Sequence, residues 1–204
     1  MNIQLNFINL SNDQNNSDVL IFAKNIADIE NANHIAWTVI KNCGQGDSHP
    51  FVYPIDSSIG ASDSWGNYTP QFPVNQGEAF EMVLTKSGDQ LRTVGVTHNP
   101  NAIELLNNLN RGAINAYVYK SGRLFASKSN LAPGQKAVFQ FNPTIWIGVA
   151  SQVEQGEVLN SAIISEINTE ISLFGIRSAD IVMTGGGSGP DAKEFQFMLQ
   201  NVVM

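Results

Sequence analysis

Ile114-Asn115-Ala116-Tyr117-Val118-Tyr119-Lys120-Ser121-Gly122-Arg123-Leu124-Phe125-Ala126-Ser127 is the stretch on which the fold class turns. Apolar and polar side chains alternate from Ile114 to Tyr119, the pattern of a half-buried strand. Ser121-Gly122 then interrupts the pattern, glycine supplies the positive φ of a tight turn, and apolar residues resume at Leu124. The stretch therefore reads as a β-hairpin. The same Lys-Ser-Gly triplet recurs at 86–88 between Phe80 and Leu91, so one hairpin type is expected twice, with turn chemistry as its sufficient cause.

The alternation extends outward in both directions. Ile3, Leu5 and Phe7 alternate with Gln4 and Asn6, and Val19–Ala23 is continuous enough for a strand buried on both faces. Further strands are expected at 35–41, 51–55, 79–85, 91–96, 137–141, 145–150, 170–174, 179–183 and 194–203. Short segments rich in Asn, Gly, Ser and Pro separate them. The expectation is an all-β antiparallel sandwich of two packed sheets, with residues 1–204 as a single domain and at most one or two short helices.

Helix is expected at 101–110, where Ile103, Leu106 and Leu109 recur at helical spacing behind Pro100. The stretch 159–173 fits either period and is assigned to strand, because Ile and Thr lose rotamer freedom in helices. Gly185 to Pro190 is expected to be a flexible loop before the last strand. It is not a phosphate loop, since no Lys-Ser/Thr pair and no helix follow it. Residues 144–167 are long enough for two ten-residue strands of a membrane-inserting hairpin, although an ordinary core hairpin looks the same. Phe139-Gln140-Phe141 and Phe195-Gln196-Phe197 resemble each other, but no fixed period runs through the chain, which argues against a solenoid or propeller.

Composition narrows the function classes. Charged residues are 14% of the chain, and 11 basic residues face 18 acidic ones for a net charge of -7. The cations do not cluster, so nucleic acid is not an expected partner. The first Lys is at 24, and no apolar run reaches the ~18 residues of a spanning helix. The expected location is cytoplasmic as synthesised, with release by a route that leaves no N-terminal mark as the alternative. Cys43 is the single cysteine, which excludes an intramolecular disulfide and a cysteine zinc cage.

Asn occurs 23 times, in place of the charges a surface usually carries. An amide-rich, weakly charged surface suits hydrogen-bonding partners such as sugars, and also self-packing. A compositional habit of the source explains it equally well. Strand edges with few charges, notably 3–10 and 194–203, are the surfaces on which association is expected.

Special residues concentrate between Cys43 and Tyr68. A Cys43–His49–Asp63 nucleophile set lacks anything to fix its geometry. A hard-cation site from Asp47, His49, Asp56 and Asp63 matches no calcium-loop spacing. His34 and His98 read as exposed loop histidines. The reading carried forward is a ligand surface of Asp63, Trp65, Asn67 and Tyr68: the aromatics stack on the C–H face of a sugar while Asn67, Asp63 and Gln71 bond its hydroxyls. No catalytic residue, metal or cofactor is expected. The functional expectation is a lectin-like or toxin-like binding or self-assembling protein, a homo-oligomer facing a carbohydrate or membrane surface. The alternative is a small-molecule hydrolase or isomerase built on the Cys43–Tyr68 loop.

Overall fold

Alternating burial follows the alternating sequence at 3–9, 103–107 and 114–120. In the computed structural model, which describes residues 2–28 and 33–204, the first strand buries Ile3, Leu5, Phe7 and Asn9 and leaves Gln4 exposed. The strands are β1 (Ile3–Asn9), β2 (Asp18–Phe22), β3 (Asn33–His34), β4 (Thr38–Ile40), β5 (Ser48–Tyr53), β6 (Ser57–Ser62), β7 (Phe72–Val74), β8 (Glu78–Thr85) and β9 (Gly88–Val96). They continue as β10 (Ile103–Asn107), β11 (Ile114–Lys120), β12 (Arg123–Leu131), β13 (Lys136–Phe139), β14 (Thr144–Ala150), β15 (Thr169–Ser172), β16 (Ser178–Gly186) and β17 (Lys193–Val203). One helix, α1 (Ser161–Glu166), stands between β14 and β15. The fold is an all-β sandwich, as the alternation requires.

The chain divides into two compact units. One comprises Met1–Ala23, Ile35–Ile55 and Pro143–Met204, with sheets β17-β16-β1-β5 and β15-β14-β2-β4. Its core holds Phe7, Val19, Ile21, Ile145, Ile147 and Ile181, all nearly inaccessible. The other comprises Lys24–His34 and Asp56–Asn142, with sheets β13-β10-β8-β9 and β3-β12-β11-β6-β7. Ile59, Leu105, Ala116, Val118 and Phe139 fill it. Pairing is antiparallel except at β1–β16 and β8–β10.

Those two parallel pairs reveal a relation that the sequence pattern hides. The first half of the chain gives β1, β2, β4 and β5 to the first unit and β6 to β9 to the second. The second half gives β10 to β13 to the second unit and β14 to β17 to the first. Matched in that order, the sheets coincide: β17-β16-β1-β5 with β9-β8-β10-β13, and β15-β14-β2-β4 with β7-β6-β11-β12. Apart from β3, which the first half adds to the edge of the second unit beside β12, the two units thus share one topology, each with four strands from either half.

Local chemistry repeats with the topology. Asn9 ends β1 and Asn107 ends β10, and both are buried. The Asn9 amide donates to the Asp47 carbonyl (3.0 Å) and its carbonyl accepts from Gly46. At Asn107 the partners are Gln135 (2.9 Å) and Gly134. The Asn9 Nδ2 donates to the Cys43 carbonyl and the Asn107 Nδ2 to the Leu131 carbonyl, 2.7 and 2.8 Å away. Gly46 and Gly134 both turn the chain at positive φ, +88° and +82°. A buried carboxamide saturated by backbone closes the same turn twice, which is how its desolvation is offset.

Several expectations are corrected. Residues 101–110 are not helical: β10 buries Ile103, Leu105 and Asn107 at period two, and parallel pairing with β8 outweighs the helical spacing. The 159–173 stretch is not one strand. Asn160 caps α1 by accepting from the Ile163 amide, and only Thr169–Ser172 is extended. The 144–167 hairpin is absent, since β14 pairs with β2 and β15. Gly185 and Gly186 end β16, and Gly187 and Ser188 lead into a 3-10 turn at Gly189–Asp191 before β17, so the first two residues of the glycine run are strand and the rest connects the two strands. Residues 3–10 are no edge, because β1 lies between β16 and β5, whereas β17 is one. The two Lys-Ser-Gly triplets occupy different turns: Thr85 pairs Gly88, but Lys120 pairs Arg123 around Ser121 and Gly122. His34 is half-buried in β3 opposite Ala126 rather than in a loop, and burial holds its pKa below the ordinary value, with Lys24 adding to this.

Candidate functional site

β6 ends where Asp63 begins a tight turn. Its Oδ1 accepts from the Trp65 and Asn67 amides at 2.8 and 2.9 Å, and its Oδ2 from the Asn67 side chain at 2.8 Å. Asn67 Nδ2, then the Asn67, Trp65 and Gly66 amides, hold the Asp63 carboxyl below the usual carboxylate range, against the opposing effect of desolvation. An ionised, backbone-bonded aspartate of this kind is a turn scaffold. It lifts Trp65 into solvent at 83% exposure and Tyr68 at 70%.

The four residues expected from the sequence thus meet on one turn, with a division of labour. Asp63 and Asn67 fix the turn, and Trp65 and Tyr68 are its presented surface. Beside them lies a cleft of about 400 Å³ lined by Tyr68, Thr69, Phe72, Ser87, Asp89 and Gln90. Large exposed aromatics on a hydrogen-bonded turn next to a polar cleft are a candidate contact surface.

The aromatic surface continues onto the sheet. Tyr68 stacks on Tyr117 with ring centres 5.9 Å apart and planes 25° apart, and Tyr117 faces Tyr119 at 6.2 Å and 46°. The charge of Tyr117 and then its hydrogen bond raise the Tyr68 pKa, while burial followed by the same neighbours raises that of Tyr119. Tyr117 shares a 3.0 Å hydrogen bond with Ser62, to which Asn115 also donates. A second cleft of about 370 Å³ opens at Tyr119 among Asp56, Ser58, Gln71 and Ser121. Ser58 donates to the Gln71 side-chain oxygen at 3.0 Å. Tyr117 and Tyr119 were not singled out from the sequence. The alternation that buries Ile114, Ala116 and Val118 puts both on the opposite face, and that signal was already present.

The remaining candidates of the 43–68 region fall apart. The region is not a long irregular loop, because β5 and β6 fill much of it. Cys43, Asp47 and His49 belong to one unit, and Asp56 and Asp63 to the other. Burial, then Asp47, pushes the Cys43 thiol up, whereas a thiolate nucleophile requires a shift down. Among the described residues no three His, Cys, Asp or Glu side chains group to hold a metal, and no helix is long and apolar enough to cross a membrane. Comparison with family models, curated proteins and solved structures finds no match to this chain.

Proposed function

We propose that this chain is a non-enzymatic, lectin-like binding protein whose β6–β7 turn docks a neutral polar ligand, a carbohydrate first of all. The observation that carries this reading is the pair Trp65 and Tyr68, held in solvent by a turn that Asp63 fixes through three hydrogen bonds. A sugar presents C–H faces to aromatic rings and hydroxyls to amides at once, and Asn67, Thr69 and Gln90 line the cleft together with Tyr68. Acids but no cations line the two clefts, which favours a neutral ligand over an anionic one.

Glycan-array binding followed by calorimetry tests the reading. Trp65→Ala is expected to weaken binding by about tenfold or more, the size of effect at an aromatic anchor. Asp47→Ala and His49→Ala should leave it unchanged. Loss of binding in the latter two with Trp65→Ala intact would move the site to the Cys43 region and revive the hydrolase reading.

Self-association is a second reading, favoured by one edge strand. Among the described residues β17 pairs with β16 alone, and it exposes Met198, Val202 and Val203 along eleven residues. An edge this long with few charges is a template for another chain. Light scattering over a concentration series should show dimers or larger species that Met198→Lys disperses. A strictly monomeric protein at high concentration removes this reading.

A further inference from the structure

The cleft of about 400 Å³ beside the Trp65 turn is bounded by residues 63–72 on one side and by the β8–β9 hairpin on the other. The polar groups of the two sides are spent differently. On the turn side, Asn67 gives its Nδ2 to Asp63, and the Thr69 hydroxyl accepts from the Ala61 amide and donates to the Pro70 carbonyl, both at 3.0 Å. On the hairpin side, the side chains of Ser87, Asp89 and Gln90 make no hydrogen bond or ion pair among the described residues. Asp89 is half-buried. The cations nearest it in sequence do not neutralise it: Arg92 is held by Glu81 at 2.6 Å, and Lys86 is exposed and makes no ion pair among the described residues.

Register places this carboxylate at the rim of an apolar floor. β8 and β9 pair Leu84 with Asp89 and Met82 with Leu91, and partners two residues apart share a sheet face. Asp89 therefore stands on the face that carries Met82 and Leu91 into the core, where both are buried and both line the cleft. The first unit shows what else this position holds. Met183 stands opposite Asn9 as Met82 stands opposite Asn107, and Met183 pairs with Phe197 where Met82 pairs with Leu91. A phenylalanine is thus already accommodated at the Leu91 position of the shared topology.

We infer that this cleft takes the acetamido group of a 2-acetamido sugar: its N–H donates to the Asp89 carboxylate, its carbonyl accepts from Gln90 or Ser87, and its methyl rests on Met82 and Leu91. The inference rests on the carbohydrate reading above and adds the class of sugar. An ionised carboxylate only accepts, the Gln90 amide and Ser87 hydroxyl can donate, and the floor is apolar. An acetamide presents a donor, an acceptor and a methyl group within a few atoms, so it answers all three at once. A plain hydroxyl in its place satisfies Asp89 and leaves the floor against water. An ammonium pairs with Asp89 and sets a charge over Met82 and Leu91, where desolvation opposes it. A volume of about 400 Å³ lies at the small end of ligand sites and suits one ring with its substituent.

The test is calorimetric titration of the full chain with glucose, galactose and mannose, with their 2-acetamido derivatives, and with the corresponding free 2-amino sugars. In at least one set the acetamido sugar should bind about tenfold tighter than its parent. Asp89→Ala should bring the acetamido sugar to within about twofold of the parent, because the N–H loses its acceptor. Leu91→Phe should do the same by filling the floor, a route independent of Asp89. Trp65→Ala should weaken parent and derivative together and keep their ratio. Equal binding of parent and acetamido sugar, lost with Trp65→Ala but indifferent to Asp89→Ala and Leu91→Phe, overturns the acetamido site and leaves the carbohydrate reading standing. Tightest binding by a free amino sugar, weakening as salt is added, also overturns it and makes Asp89 a seat for a cation. No binding of any sugar overturns both.

Discussion

Cutting the chain once, at a protease site inserted after His98, is expected to leave two fragments that stay together under native conditions and part only in denaturant. The connection from β9 to β10 crosses exposed residues 98–101 and carries no strand. Yet every one of the four sheets pairs strands across the cut: β1 with β16, β2 with β14, β8 with β10, and β6 with β11, through five or six consecutive residues in most cases. Those strands bury Phe7, Ile21, Ile147, Leu105 and Val118, none of which keeps its neighbours if the halves separate. Burial of apolar surface in a core shared between the halves is expected to hold the fragments together without the covalent link. The same topology suggests the alternative outcome. With β3 set aside, each half contains eight strands in matching order, so a half could close upon itself, as in domain swapping run backwards. Native size exclusion and mass spectrometry of the cut protein distinguish the two. Separable, folded half-chains would show that the exchange between halves is not what holds either unit together. We further propose that the uncut chain unfolds as one domain, since neither unit is a contiguous segment that could fold first.

How much of this was legible follows from which forces write themselves into a sequence. Alternation reports burial on one face, so β1, β8, β11 and β16 could be read directly. β6 could not: Ser57-Ser58-Ile59-Gly60-Ala61-Ser62 buries small residues and shows almost no large apolar ones. β7, Phe72-Pro73-Val74, carries a proline that an edge strand tolerates and an interior strand does not. Ile103, Leu106 and Leu109 satisfied a helical period by coincidence, and only the parallel pairing with β8 decided against it. Pairing partners 25 residues apart (Ala79 and Glu104) to 174 apart (Gln4 and Ser178) leave no periodic trace, so the exchange of halves was invisible. The signals that survive are short: Phe7-Ile8-Asn9 beside Leu105-Leu106-Asn107, and Ile59-Gly60-Ala61 beside Ile147-Gly148-Val149. The Trp65 turn was readable because Asp, Gly and Asn at turn positions announce their own hydrogen bonds. The tyrosine row was not, because Tyr68 comes from a loop and Tyr117 from a distant strand.

The alternation that turns Tyr117 and Tyr119 outward also turns Lys120 inward, and the second large effect is expected there. Lys120 is 5% exposed, with its ammonium 5.3 Å from the Phe125 ring centre. Burial draws its pKa down from 10.5 to about 8, with Asp56 opposing. The sign follows from linkage. Between pH 8 and 10.5 the unfolded chain holds a proton that the folded chain releases, so the folded state gains as pH rises through this window. Below pH 8 both states are charged and the full penalty, roughly 3 kcal/mol, applies. Lys120→Met has no such titration, so the stability of the variant relative to the wild type should fall by roughly 3 kcal/mol as pH rises from about 8 to 10.5 and level off above that. Other groups move each curve in the opposite direction at high pH: Tyr53, pushed up to about 12 by burial, keeps its proton in the fold while the unfolded chain ionises from about 10. They act on both proteins alike, so the difference between urea-unfolding curves of the two isolates Lys120. A difference that does not change with pH would mean that the lysine reaches solvent, and the inward register of β11 that presents the tyrosines would fall with it.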